Sequence, residues 1–198
     1  MKININRQYF IEQLNHCLKA ISPRTTLPIL NGIKIDVKDD HMILTGSDSE
    51  ISIEITIPVE VDNEEVLEIH EAGAVVLSGR FFVDIIKKLS GEFVQLETND
   101  AFQTKITASK SEFNLSGNNP DQYPLLPDVS DEESLVISSS VLKNVINQTN
   151  FAVSLSETRP VLTGVHWQFN NDEITFTATD SHRLALRRLT GEQFNNYR

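Results

Sequence analysis

Three consecutive residues, Asp180-Ser181-His182, carry the side-chain types of a hydrolytic relay: a carboxylate, a hydroxyl and an imidazole. Such a relay needs the hydroxyl within hydrogen-bond reach of the ring, and the ring oriented by the carboxylate. The surrounding TFTATDSHRLAL alternates like a strand, and neighbouring side chains of a strand point to opposite faces. Read that way the three residues cannot pass a proton. A hydrolase would require turnover that Ser181→Ala abolishes. The histidines at 16, 41, 70, 166 and 182 contain no i, i+4 pair able to hold zinc from one helix face. A single cysteine, Cys17, excludes an internal disulfide and a multi-cysteine zinc site. Neither G-x-x-x-x-G-K-[ST] nor G-x-G-x-x-G occurs, so no glycine loop cradles a nucleotide. The expectation is a protein with no catalytic residue, no metal and no cofactor.

Charge says more than these motifs. The 198 residues include 28 acidic and 17 basic side chains, a formal net charge of −11. An acidic chain does not grip nucleic acid with its whole surface. The cations, however, are segregated. Residues 7–24 hold Arg7, Lys19 and Arg24 against Glu12; residues 80–88 hold Arg80, Lys87 and Lys88 against Asp84; residues 138–150 add Lys143. These three stretches all have helical period and carry a net +5, which leaves −16 for the rest. At 100° per residue Arg80 and Lys87 share the side opposite Phe82 and Leu89, and Lys19 lies opposite Phe10 and Leu14. A cationic helix layer on an acidic body would attract phosphates at that layer and repel them elsewhere. No apolar run approaches the roughly 18 residues of a membrane helix. The start, MKININRQYF, alternates and is not a signal peptide. The expected compartment is the cytoplasm.

The elements that position these residues repeat. Residues 28–49, PILNGIKIDVKDDHMILTGSDS, align without a gap on 160–181, PVLTGVHWQFNNDEITFTATDS, at an offset of 132. Seven of the 22 positions are identical, including Gly32/Gly164, Asp48/Asp180 and Ser49/Ser181. A self-match of this kind is the mark of a repeated architecture. Asp48 and Asp180, recurring at one position of the unit, read as a turn or cap. Helical stripes are expected over 7–21 (Phe10, Leu14, Cys17, Leu18, Ile21), 79–89 (Phe82, Ile85, Ile86, Leu89) and 139–150 (Val141, Leu142, Val145, Ile146, Thr149). The third has a serine run in front that can cap it. Strands are expected at 2–6, 33–37, 51–57, 66–69, 74–77, 92–98, 102–108 and 111–116, with Asn99-Asp100 in a turn. Few helices against many antiparallel strands give an α+β class. The proline-rich GNNPDQYPLLPDVS reads as a linker. The expected domains are 1–127, a whole unit, and 128–198, the N-terminal half of a second, since a full copy would run to about residue 257.

Several stretches carry a resemblance. AISPRTTLPILNGI, the helix GRFFVDIIKKL, the linker DQYPLLP, and NFAVSLSETRPVLTG followed by TATDSHRLAL closely resemble the bacterial DNA sliding clamp, the beta subunit of DNA polymerase III. The low-GC Gram-positive form is most similar, and the resemblance covers essentially the whole chain. It implies the DNA-clamp fold: repeated domains, sheets outside and helices lining one face. It also implies a head-to-tail homodimeric ring that encircles duplex DNA without sequence specificity and does no chemistry. The implied partners are the replicative polymerase, the clamp loader and other proteins with clamp-binding motifs, and no membrane. By position, the resemblance implies DNA contact at Arg24 and Arg80, to which helical geometry adds Lys87 and Lys143. The loop Ser154–Val161 matches one that meets DNA and gates a partner groove, with Ser156 where some members have glutamine and Pro160-Val161 where they have two tyrosines. The groove for partner peptides maps in part onto Leu162, Thr179, Ser181, His182, Arg183 and Leu184. Phe113 and Leu115 match the strand that joins subunits. The alternative reading is a protein-interaction module with no DNA-encircling role.

Overall fold

The computed structural model describes residues 1–22, 25, 27–126, 135–170 and 173–191. The chain divides into two units, Met1–Pro127 and Asp128–Arg198.

In the first unit, β1 (Lys2–Asn6) buries Ile3 and Ile5 and runs directly into α1 (Arg7–Leu18). The Asn6 side chain caps the helix by accepting the Tyr9 N–H at 3.1 Å. Phe10, Leu14 and Cys17 form the buried stripe. The helix ends earlier than its apolar period, with Lys19 at its C-terminal cap. A 3₁₀ turn, Pro28–Asn31, leads into β2 (Gly32–Val37), β3 (His41–Ser47) and β4 (Ser52–Pro58). Ile51 belongs to the turn before β4 and is exposed, where period-2 alternation places it in the strand. The short β5 (Glu60–Val61) and β6 (Glu64–Glu65) form a hairpin, followed by β7 (Leu67–Glu71), β8 (Gly73–Ser78) and α2 (Gly79–Lys88). β9 (Phe93–Thr98), β10 (Gln103–Ala108) and β11 (Ser111–Ser116) complete the unit.

Two antiparallel sheets result, in the orders β4-β3-β2-β8 and β11-β10-β9-β1-β7. Helix α1 packs on β3 and β4, α2 packs on β2 and β8, and the helices meet through Phe10 and Phe82, whose rings lie edge to face at 5.9 Å. Ile33, Ile35, Leu44, Phe82, Ile86 and Leu96 are fully buried in this one core. Each such side chain contributes about 1.5–3 kcal/mol of burial free energy. Tyr123 packs with Leu30 and Val76 and donates its hydroxyl to the Thr45 carbonyl at 3.5 Å.

The second unit repeats the first half of this plan at the sequence offset of 132. Helix α3 (Ser139–Thr149) answers α1, the 3₁₀ turn Pro160–Thr163 answers Pro28–Asn31, and β12 (His166–Asn170), β13 (Glu173–Thr179) and β14 (Leu184–Thr190) answer β2, β3 and β4. They form the sheet β12-β13-β14. Its core is small: Val145, Ile174, Phe176 and Leu189. Ser138 stands at the N-cap of α3, but its hydroxyl bonds that of Ser140 at 2.9 Å and no side chain caps the helix. Ile146, expected inward, is 41% exposed, whereas Leu14 at the same repeat position is buried. The reason lies in the neighbours. In the first unit β2 is covered by β8, and α1 by α2; among the described residues of the second unit, β12 has no outer strand and α3 no companion helix. Trp167 and Phe169 accordingly remain 37% and 48% exposed, where their counterparts Ile35 and Val37 are buried. No helix of the described residues is long and apolar enough to cross a membrane.

Candidate functional site

Asp180-Ser181-His182 lies in the turn between β13 and β14, not in a strand. Ser181 has φ 79°, in the left-handed region. The Asp180 Oδ1 accepts the backbone N–H groups of His182 and Arg183 at 2.9 and 3.0 Å. The Thr179 hydroxyl accepts the Ser181 N–H at 3.1 Å and donates to the Arg183 carbonyl at 2.7 Å. These bonds hold a tight corner, and the carboxylate is committed to it. The hydrogen bonds from His182 and Arg183, with the guanidinium alongside, hold its pKa below the usual carboxylate range. No hydrogen bond among the described residues links the three side chains, so a hydrolytic relay fails on the actual corner geometry rather than on strand alternation.

The first unit contains the same corner. Ser49 has φ 80°, its N–H reaches the Ser47 hydroxyl at 3.1 Å, and Asp48 Oδ1 accepts from Glu50 and Ile51 at 3.0 and 2.8 Å. The Asp48 carboxyl is likewise held low, chiefly by the Ile51 N–H. The repeated aspartate is therefore a turn cap in both copies, as its recurrence indicates.

What differs is what surrounds the corner. In the second unit an open cavity of 590 Å³ lies between this turn and the loop that follows α3. Ser154, Ser156, Thr158, Arg159, His182 and Arg183 line it, with Val153, Leu155 and Asp180. The loop is shaped by its own hydroxyls: Ser156 N–H donates to the Ser154 hydroxyl at 3.1 Å, and the Ser156 and Thr158 hydroxyls bond at 2.8 Å. Leu162 returns the chain to the sheet, its carbonyl accepting the Ser154 N–H at 2.8 Å. Arg183 is the best-held cation there. Its Nε donates to Asp180 Oδ2 at 2.9 Å, and its Cζ lies 6.0 Å from the centre of the Phe151 ring.

Of the residues that sequence assigns to a partner groove, His182 and Arg183 line this cavity, joined by Ser156. Thr179 and Ser181 build the corner behind it, Leu162 is half-buried in the 3₁₀ turn, and Leu184 is exposed at the start of β14. Sequence reading misses Arg159 and Phe151. The one available signal is that Arg183 and Phe151 stand where the first copy has Ile51 and Lys19, an exchange of apolar and cationic side chains.

Arg80 is exposed in the first turn of α2, Lys87 and Lys88 in its last, and Lys143 on the outer side of α3. No carboxylate pairs with any of the four among the described residues. By contrast, Lys2 and Lys105 on strands and Lys38 just after β2 lie beside carboxylates, those of Glu97, Glu112 and Asp36. The cationic character of the helices thus survives folding; Arg7 keeps its charge too, with its Nε held by the Gly91 carbonyl at 2.8 Å. Arg24 lies outside the described residues. Phe113 and Leu115 sit on β11, an edge strand of its sheet, with Phe113 44% exposed.

Comparison with known proteins gives a consistent result. Residues 1–127 match the family model for the N-terminal domain of the DNA polymerase III beta subunit, and residues 136–197 that for its central domain. The beta sliding clamp of Staphylococcus epidermidis is 68% identical over 189 residues, which is 96% of this chain and 50% of that protein. The chain therefore spans about half the length of the curated relatives it matches. The crystal structure of the DNA polymerase sliding clamp from Bacillus subtilis has 47% identity and a TM-score of 0.93, covering 99% of this chain and 51% of that one. A sliding clamp from Bartonella birtlesii bound to griselimycin has 27% identity and a TM-score of 0.83, over 96% of this chain and 50% of that one.

Proposed function

Because the chain belongs to the DNA polymerase III beta subunit family, we propose that it forms the N-terminal part of a ring-shaped, non-catalytic processivity factor. The ring encircles duplex DNA and tethers the replicative polymerase in the cytoplasm. Residues 1–127 are one clamp domain, and 128–198 the N-terminal half of the next. A ring of this kind needs no base contacts. It needs a weakly attractive, sequence-blind lining along which the duplex slides. Arg24, Arg80, Lys87 and Lys143 supply that lining, with Ser156 at its margin. Tethering raises the effective concentration of the polymerase at the primer end. The edge strand β11, with Phe113 and Leu115, is where a second subunit adds its sheet. The cavity beside Arg183, with Leu162, Thr179, Ser181, His182 and Leu184, is part of the groove that receives the polymerase, the clamp loader and other partners; the Bartonella birtlesii clamp is bound to griselimycin, and on this reading the same groove would receive it.

The observation that carries the reading is the segregation of charge after folding. Lys2, Lys38 and Lys105 lie beside carboxylates, whereas Arg80, Lys87 and Lys143 on the helices have no carboxylate partner among the described residues. The full-length protein should be retained on circular duplex DNA and released on linearisation, whatever the base sequence. Retention that survives linearisation would exclude encirclement, and no retention even on circular DNA would favour the interaction-module alternative. Arg80→Glu with Lys87→Glu should also flatten the slope of log K against log salt by about 1.8, at roughly 0.9 per phosphate contact. An unchanged slope removes both residues from the lining.

A further inference from the structure

We propose that Asp180 is the positioning residue of the cavity: its carboxylate holds the Arg183 guanidinium against the Phe151 ring, so that an arriving ligand meets an arginine already oriented. The inference rests on the groove reading above and deepens it.

The duplicated corner separates what the turn needs from what the cavity adds. In the first copy one oxygen of Asp48, Oδ1, accepts both backbone N–H groups and completes the turn. In the second copy Asp180 Oδ1 does the same. The turn is therefore satisfied by one oxygen, and Asp180 Oδ2 is left over for Arg183 Nε at 2.9 Å. Position 51, the repeat equivalent of 183, is isoleucine, so Asp48 has no guanidinium to hold.

A guanidinium presents five donors in a rigid plane. Here Nε is spent on Asp180 and Cζ sits over the Phe151 ring, 6.0 Å from its centre. The two Nη groups make no hydrogen bond among the described residues and belong to a side chain that lines the cavity. An unheld arginine surrenders rotamer entropy on binding, whereas one fixed beforehand surrenders less. The aspartate thus works through Arg183 and need not touch the ligand.

The test uses the full-length protein, griselimycin as the probe, and the Arg183 Nε–H resonance as a direct reporter. Asp180→Asn keeps an oxygen for the two backbone donors and removes the charge on the other. It should weaken griselimycin about two- to fivefold, the range of a partly exposed ion pair. It should also shift the Nε–H resonance and speed its exchange with solvent. In an Arg183→Ala background Asp180→Asn should cost nothing further, and Asp48→Asn should leave affinity unchanged. An equal loss in the Arg183→Ala background, or an unmoved Nε–H resonance in Asp180→Asn, overturns the proposal. If the unmodified protein does not bind griselimycin, the groove reading falls, and the Nε–H comparison alone then decides the positioning role.

Discussion

Leu14 and Ile146 occupy one position of a repeated unit in two different surroundings, so truncating each to alanine isolates the surroundings. Both substitutions remove three carbons, worth about 0.8 kcal/mol each when fully buried. Leu14 is 0% exposed between α1, its sheet and α2, in the cluster that holds Phe10 and Phe82. Its loss leaves a closed void, and the total should reach about 3.5 kcal/mol. Ile146 is 41% exposed, so about three fifths of the transfer term applies, with no closed void. The better helix propensity of alanine returns a few tenths, giving about 1 kcal/mol. Native-state amide exchange on the 198-residue chain reads each unit separately, in β3 for Leu14→Ala and in β13 for Ile146→Ala. At about 1.4 kcal/mol per tenfold, exchange should accelerate about 300-fold in the first case and about fivefold in the second. Equal accelerations would refute the reasoning, because they would mean that α2 and β8 contribute nothing to the difference between the copies.

Gly32 and Gly164 make a second matched pair. Both have extended backbone that any residue adopts, but a Cβ on Gly32 would lie 2.5 Å from Val76 Cγ1 and 3.0 Å from the Leu77 carbonyl oxygen, whereas Gly164 has no described atom within 4 Å. Gly32→Ala should cost about 1–3 kcal/mol in urea unfolding, and Gly164→Ala should stay within about 0.5 kcal/mol of the parent or gain slightly; similar midpoints for both would contradict this. The first unit should also weaken in alkali. Burial pushes the Cys17 thiol and the Tyr123 phenol up to about 12, while in the unfolded chain they ionise near about 8.5 and about 10. The unfolded state then binds fewer protons than the folded one, so stability falls as pH rises from about 8.5 toward about 12. Tyr123→Phe should change little at neutral pH, its hydrogen bond being long at 3.5 Å, but should flatten the decline above about pH 10; a decline as steep as the parent's would show that the phenol is not the group responsible.

The repeat was the most legible part of the molecule. An ungapped offset of 132 between two apolar patterns carries through to the boundaries of β3 and β13, β4 and β14, and both 3₁₀ turns. Local chemistry explains this: proline opens each turn, and alternation fixes which face of each strand is buried. Burial of Ile146, Trp167 and Phe169 was not legible in the same way. Periodicity reports which side a residue faces, and the presence of a covering element depends on distant chain. The corner at Asp180 was half legible. Its recurrence marks a cap, but TDSHR alternates well enough to pass for strand, and only the positive φ of Ser181 shows the bend. Arg159 and Phe151 give no local signal, since their role arises where a loop and a turn from separate elements converge.

The open side of β12 has a practical corollary. Trp167 is the one tryptophan of the chain, and it sits on that strand, edge-on to Phe176 at 4.8 Å with part of its indole in water. Any strand that docks along β12 must dehydrate this ring. Its emission should then move to shorter wavelength without a label or a substitution, giving an optical gauge of sheet completion native to the protein.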